Sequence, residues 1–367
     1  MTFDYLIVGA GFSGAILAER LASQKGKRVV VVDRRNHIGG NCYDKYNSDG
    51  ILVHAYGPHY FRTNSDKVID YLSKFTEWIA ADYKILSWTH GRYWNFPINL
   101  NTFEQFVGKQ MNEDEMIGML DNIREKIEFP SNSEELMVSK IGRELYEMFY
   151  KGYTKKQWGI DASQLDASVC GRIPIRTNRD NRYFSEKFQA LPKKGYTELF
   201  RNMLFNPRIE VLLNTDYREA RENIQFGHLI YTGPVDEYFD YRHGHLPYRS
   251  LRFEEQTIPC KYYLPAVQVN YPNEHGFTRI VEVKHITGQS SDLTTIVREY
   301  PENHLLGREP YYPIPTESAK LLYKKYEEDV EREANVTFLG RLATYKYLNM
   351  DQVVALALSA FEKLCFQ

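Results

Sequence analysis

The stretch from Tyr5 to Asp33 constrains this chain more than any other. Tyr5-Leu6-Ile7-Val8 is a short apolar, β-favouring run that ends at glycine. Gly9-Ala10-Gly11-Phe12-Ser13-Gly14 follows, and then Ala15, Leu17, Ala18, Leu21 and Ala22 recur at helical spacing. A second apolar run, Val29 to Val32, closes at Asp33. Four consecutive valines suit a strand buried on both faces, as in a parallel sheet. GxGxxG alone says little, but here a strand precedes it, a helix follows, and an acidic residue stands 19 positions beyond Gly14. That is the dinucleotide fingerprint in its full context. Gly9, Gly11 and Gly14 permit a tight turn and close approach of a pyrophosphate. The helix start at Phe12 and Ser13 offers free N–H groups and a positive dipole end. Asp33 is expected to accept hydrogen bonds from a ribose.

The next residues narrow the choice of dinucleotide. Arg34 beside Asp33 points toward NADP, but Gly39-Gly40-Asn41 brings backbone to the cofactor a second time and favours FAD. Gly340-Arg341-Leu342-Ala343 fits a late return of the chain that sets a glycine against the flavin.

Composition places few other limits. With 367 residues, 46 Lys+Arg against 48 Asp+Glu and 43% apolar residues, the chain is an ordinary globular protein of two or three domains. A net charge of −2 gives no footprint for nucleic acid. Cys42, Cys170, Cys260 and Cys365 are scattered without zinc spacing, which reads as reduced thiols in a cytosolic protein, and no metal site is expected. No apolar run is long enough to span a membrane, and the N-terminus lacks a basic leader. A cytoplasmic protein without membrane insertion is expected.

Helical periodicity dominates beyond residue 65: Val68, Ile69 and Leu72, then Met116, Met119, Leu120 and Ile123, then Met137, Ile141, Leu145 and Met148. Tyr93 to Pro97 interrupts it as a strand or loop. Apolar β-rich runs then return at 211–213, 229–231, 266–269, 278–283 and 294–297, several alternating with polar residues, which predicts an antiparallel sheet. Residues 335–341 read as a strand and Asp351 to about Phe361 as a helix. The expected fold class is α/β: a Rossmann-like FAD-binding domain with a helical insertion and an antiparallel β-sheet domain. The expected division is 1–74 for the first part of the FAD domain and 75–170 for a mainly helical insertion. A substrate domain over 171–334, with partial return to the FAD domain, and a C-terminal return over 335–367 complete it.

Several stretches together resemble the UDP-galactopyranose mutase family, whose members interconvert pyranose and furanose forms of a UDP-sugar. They include DRRNHIGGNCY, YGPHYFRTN, KGYTKKQWG, GRIPIR, RYFSEKFQALPKKGYTEL, TRIVEVKH, EPYYPIP and GRLATYKYLNMDQV. The match runs in order along nearly the whole chain. The resemblance implies reduced FAD whose N5 attacks the anomeric carbon, with no net redox change and with NAD(P)H or another external reductant charging the flavin. It makes Arg172 and Arg279 the guanidinium forks for the diphosphate. A mobile loop near 163–176 would bring Arg172 in. His59 lies beside the flavin, and Arg341 and Asp351 join the cofactor set. Phe149 and Tyr150 fall at the uracil, with Tyr153, Thr154, Trp158 and Tyr183 nearby. Tyr312 and Tyr347 hydrogen-bond the diphosphate.

One position departs from the family pattern. YGPHYFRTN carries Arg62 where the common pattern has a second histidine. Family members that accept UDP-N-acetylgalactosamine resemble this chain there, so UDP-galactose and its N-acetyl counterpart both stay open. A homodimer through the helical insertion is also in keeping with the family. Two rival readings share the N-terminal fingerprint: a flavin amine oxidase or desaturase, and a non-catalytic FAD-binding module.

Overall fold

The computed structural model describes residues 2–80, 82–305 and 307–364. Cys365 lies outside them. The strand β1 (Thr2–Val8), the helix α1 (Phe12–Lys25) and the strand β2 (Val29–Asp33) form the unit read from the sequence. β1 and β2 pair in parallel, Leu6 against Val30 and Ile7 against Val31. All four valines of β2 are buried. Val29 and Val31 pack into the large core under α1, and Val30 and Val32 into a separate cluster on the other face. A strand covered on both faces has no polar side to show, which is why it reads as a continuous apolar run.

The parallel sheet has five strands in the order Ile209–Leu213, β2, β1, Gln225–Tyr231, Val336–Phe338. Residues 211–213 and 229–231 therefore do not belong to an antiparallel sheet, as their composition suggested. Each is a short run whose partners, Val31 and Ile7 among them, lie about two hundred residues away in sequence. The substrate segment thus returns to the first domain well before residue 335. The closing helix, Met350–Leu364, buries Val354, Ala357, Leu358 and Phe361 in the core that holds Ile16 and Leu17 of α1.

A second sheet of seven strands stands beside the first. Its order is Tyr312–Pro313, Tyr248–Ile258, Thr294–Asn303, Arg279–Val281, Gln268–Asn270, Ile85–Thr89, Arg92–Phe96. Its neighbours are antiparallel except Gln268–Asn270 with Ile85–Thr89. The 75–170 insertion therefore supplies two strands to this sheet before it turns helical. Ile85–Thr89 shows the reason in its alternating burial, Ile85, Ser87 and Thr89 in and Leu86 and Trp88 half out. The helices follow at Leu100–Val107, Glu113–Ile123, Ser133–Tyr146 and, after a wider turn at Glu147–Lys151, Gly152–Trp158. Asn99, Asn112 and Asn132 cap the first three, each accepting an N–H of the first turn. Among the described residues no helix is long and apolar enough to cross a membrane.

Candidate functional site

Three glycines from distant parts of the chain converge at the start of α1. Gly11 is its N-cap, no side chain caps it, and no acidic residue stands in the first turn. The N–H groups there are left for a ligand. A Cβ on Gly40 would stand 3.0 Å from the Gly11 Cα, and one on Gly340 would stand 2.9 Å from the Ser13 hydroxyl. Both residues have positive φ, 54° and 97°. Only glycine meets both demands, so the backbone itself forms the floor of a groove. Gly14 is not on that floor. A Cβ there would collide with the Gly9 carbonyl, so it serves the packing of helix on strand.

The groove is a cavity of about 230 Å³. Gly9, Gly11, Phe12, Ser13, Asp33, Arg34, Gly40, Asn41, His59, Gly340 and Arg341 all line it. Asp33 Oδ2 accepts the Ala10 N–H at 2.9 Å and its Oδ1 the Arg35 N–H at 2.9 Å. Each oxygen keeps a further lone pair. Arg34 is held at the rim by Glu309 and Glu237, at 3.3 and 3.5 Å. Arg35, which sequence reasoning passed over, binds Glu309 and Asn41, both at 2.9 Å. Glu309 thus engages both arginines that follow Asp33.

A second cavity, of about 260 Å³, opens from the first, and His59, Arg341 and Met350 belong to both walls. Arg62, Tyr153, Trp158, Arg172, Tyr183, Arg279, Tyr312 and Tyr347 line it. Arg279 lies on the sheet, and its guanidinium donates to Glu299 at 2.8 Å. Arg172 has no carboxylate partner among the described residues. Its guanidinium lies 4.5 Å from the centre of the Tyr347 ring, open to water though walled by protein. Arg341 also binds no carboxylate among the described residues. It donates to the carbonyls of Leu348 and Tyr311 and lies 5.0 Å from the Tyr347 ring. Trp158, Tyr312 and Tyr347 form one aromatic cluster with ring centres 5.5 to 6.3 Å apart. Burial raises the Tyr312 phenol. At Tyr347 burial is outweighed by Arg172 and Arg341, which lower the phenol below its ordinary value.

The His59 Nδ1–H donates to the Gly57 carbonyl, 3.0 Å away. Burial, with His54 adding to it, pushes its imidazole down to about 3, so the ring is neutral at pH 7. Arg62 pairs with Glu186 and stacks over the Phe184 ring at 4.0 Å. Phe149, Tyr150 and Thr154 line a narrow recess behind the second cavity, shared with Tyr153, Arg172 and Tyr183. Asp351 lines none of these spaces. It stands in the first turn of the closing helix beside Arg62 and Thr63, so the structure does not bring it to the cofactor groove. The loop at 163–176 is tied by Asp166, which accepts from Ser168 and pairs with Lys320 at 3.0 Å.

Sequence reasoning missed Glu299, Glu186, Gln157, Gln268 and Asn270. Gln157 lies inside KGYTKKQWG, which offered a signal. Glu299 lies in a strand of ordinary composition, and only its pairing opposite Arg279 brings it to the cavity.

Residues 148–347 match the family model described as UDP-galactopyranose mutase, and residues 7–75 match an NAD(P)-binding Rossmann-like domain. The chain is 38% identical over 368 residues to "Probable UDP-galactopyranose mutase" of Klebsiella pneumoniae, covering 98% of this chain and 94% of that one. It is 36% identical over 355 residues to dTDP-fucopyranose mutase of Escherichia coli, covering 94% of each. A crystal structure of reduced UDP-galactopyranose mutase superposes on all of this chain and 94% of its own, with a TM-score of 0.79 at 17% identity. The chain belongs to the UDP-galactopyranose mutase family.

Proposed function

We propose that the protein is a cytoplasmic, FAD-dependent isomerase that interconverts the pyranose and furanose forms of a nucleotide-diphosphate hexose. The observation that carries this reading is a charge count in the second cavity. Arg279 is balanced by Glu299, whereas Arg172 and Arg341 have no carboxylate among the described residues. Two uncompensated guanidiniums suit the about two negative charges of a sugar diphosphate diester, and their planar forks suit its oxygens. The glycine floor fits the cofactor: its unpartnered helix start takes a pyrophosphate, and Asp33 takes a ribose.

When bound and reduced, the flavin would supply a nucleophilic ring nitrogen for the anomeric carbon. The chain's own residues do the rest. Arg172, Arg341 and Arg279, which keeps further N–H donors beyond its bond to Glu299, hold the diphosphate as the anomeric bond breaks, and the Tyr312 and Tyr347 hydroxyls donate to its oxygens. The neutral His59 adds no positive charge beside the cofactor. Phe149 and Tyr150 offer flat apolar faces to the base. Arg62 and Glu186 set a donor and an acceptor in the wall of the sugar cavity, suited to a 2-acetamido group or a hydroxyl.

Product analysis of the reduced holoprotein with UDP-galactose, UDP-N-acetylgalactosamine and dTDP-fucose tests the proposal. A furanose product from at least one is expected, with NAD(P)H able to replace dithionite as reductant. Absence of furanose from all three overturns it. Peroxide released in proportion to substrate would mark an oxidase instead. A much lower kcat/KM for the N-acetyl sugar than for UDP-galactose rejects the role given to Arg62.

A further inference from the structure

Lys156 sits among cavity residues but does not face them. It belongs to the helix Gly152–Trp158, whose Tyr153, Gln157 and Trp158 line the second cavity, and Lys156 itself lines none. Its ammonium reaches the opposite wall. There it donates to the main-chain carbonyls of Tyr271, Phe277 at 2.9 Å and Glu274 at 3.1 Å, with the His275 carbonyl at 3.4 Å. No carboxylate lies within ion-pair distance of it among the described residues. Burial lowers the ammonium to about 8, with Glu274 pulling the other way, so it remains charged at pH 7.

All four carbonyls come from one loop, residues 271–278. That loop joins the strands Gln268–Asn270 and Arg279–Val281, which pair Asn270 directly with Arg279. The Tyr271 N–H closes the loop on the Thr278 carbonyl at 2.9 Å. The two residues at its base are therefore both ligand-facing: Arg279 in the second cavity and Asn270 in the narrow recess. Lys156 joins the helical wall of the site to the hairpin that carries its sheet wall. Arg249 holds the same helix from the other side, donating to the carbonyls of Gln157 at 3.0 Å and Lys156 at 3.1 Å. Asn273 adds one uncharged tie, to the Met148 carbonyl at 3.0 Å. A side chain without N–H donors at 156 would leave the loop carbonyls unmet and free to turn.

We propose that Lys156 is a positioning residue, whose ammonium fixes Arg279 and Asn270 against Tyr153, Gln157 and Trp158. The inference rests on the diphosphate reading of Arg279 given above. UDP binding to the FAD holoprotein, read by flavin fluorescence, separates the two. Lys156→Met is expected to keep its flavin and to bind UDP about tenfold more weakly, since a small misplacement of a clamp is costly. Its KM should rise more than its kcat falls, and Lys156→Arg should recover most of the affinity. Lys156→Ala should regain UDP affinity with ethylammonium, which refills the carbonyl cage, but not with tetramethylammonium, which has no N–H. Native UDP affinity in flavin-loaded Lys156→Met overturns the proposal. Should that variant lose its flavin, Lys156→Ala purified in ethylammonium decides, and affinity indifferent to the amine overturns it. Arg279→Ala serves as the control: if it too binds UDP normally, the diphosphate reading itself fails.

Discussion

Tyr347 shows how one residue can carry two roles that oppose each other as pH changes. Its phenol stands among Arg172, Arg341 and Arg279, which overcome the effect of burial and favour loss of its proton. As a neutral phenol it donates to a diphosphate. As a phenolate it offers no proton and competes for the same guanidiniums. UDP affinity should therefore weaken on the alkaline side at a lower pH than an ordinary tyrosine would dictate. Lys156, lowered to about 8, also loses its charge on the alkaline side, so the tyrosine's share is the difference between native protein and Tyr347→Phe. The variant is expected to bind UDP more weakly at pH 7, by about 1 kcal/mol for the lost hydrogen bond, and to show a shallower alkaline decline. An identical decline in both proteins would remove this role. Tyr347 was legible only through its motif, because one tyrosine among 28 carries no local mark of its neighbours. Glu299 and Asn270 were not legible at all. Their place depends on which strands pair, and no short window of sequence records that.

The elements divide by how local their causes are. α1 and its flanking strands could be read because glycine spacing, helical period and the valine run lie within thirty residues. The runs at 211–213 and 229–231 read as strands, but their composition points to the wrong sheet. Their burial comes from β1 and β2, far upstream. Between these extremes stands Gly40. The sequence marked it as a second backbone approach to the cofactor, and the structure gives the distance that makes glycine necessary. A methyl group there must displace the Gly11 backbone and adopt a left-handed conformation costing about 1–2 kcal/mol. Gly40→Ala should retain its secondary structure by circular dichroism yet be purified with markedly less FAD. Gly50, with nothing within 4 Å of its added Cβ, is the matched control for strain alone. Equal flavin loading in Gly40→Ala and Gly50→Ala would show that the approach to Gly11 is not needed.

At the scale of the molecule, the cofactor groove is built late in the chain's own order. Residues 9–14, 39–41 and 340–342 must meet before it exists, and the second sheet must dock before His59 has both its cavities. His59 stands at this junction, its main-chain N–H donating to Nδ1 of the buried His54 at 3.1 Å. Burial holds His54 down to about 4 and His59 to about 3, against 6.5 when unfolded. Below pH 6.5 the unfolded chain therefore takes up protons that the native protein refuses. The stability contributed by keeping both rings neutral is complete above pH 6.5. It is lost as pH falls from there toward 4 and then 3, by at most about 1.4 kcal/mol per pH unit for each ring. His59 is partly open to the cavity, so its share is the smaller. Urea midpoints of the holoprotein at intervals from pH 7.5 to 5 should fall accordingly. In His54→Asn the amide oxygen can still accept the His59 N–H, but the titrating ring is gone, so the decline should be less steep. The carboxylates that also titrate in acid are common to both proteins and cancel in the comparison. Parallel declines would mean that His54 is protonated in the folded state, and the burial argument for its neutral ring would have to be abandoned.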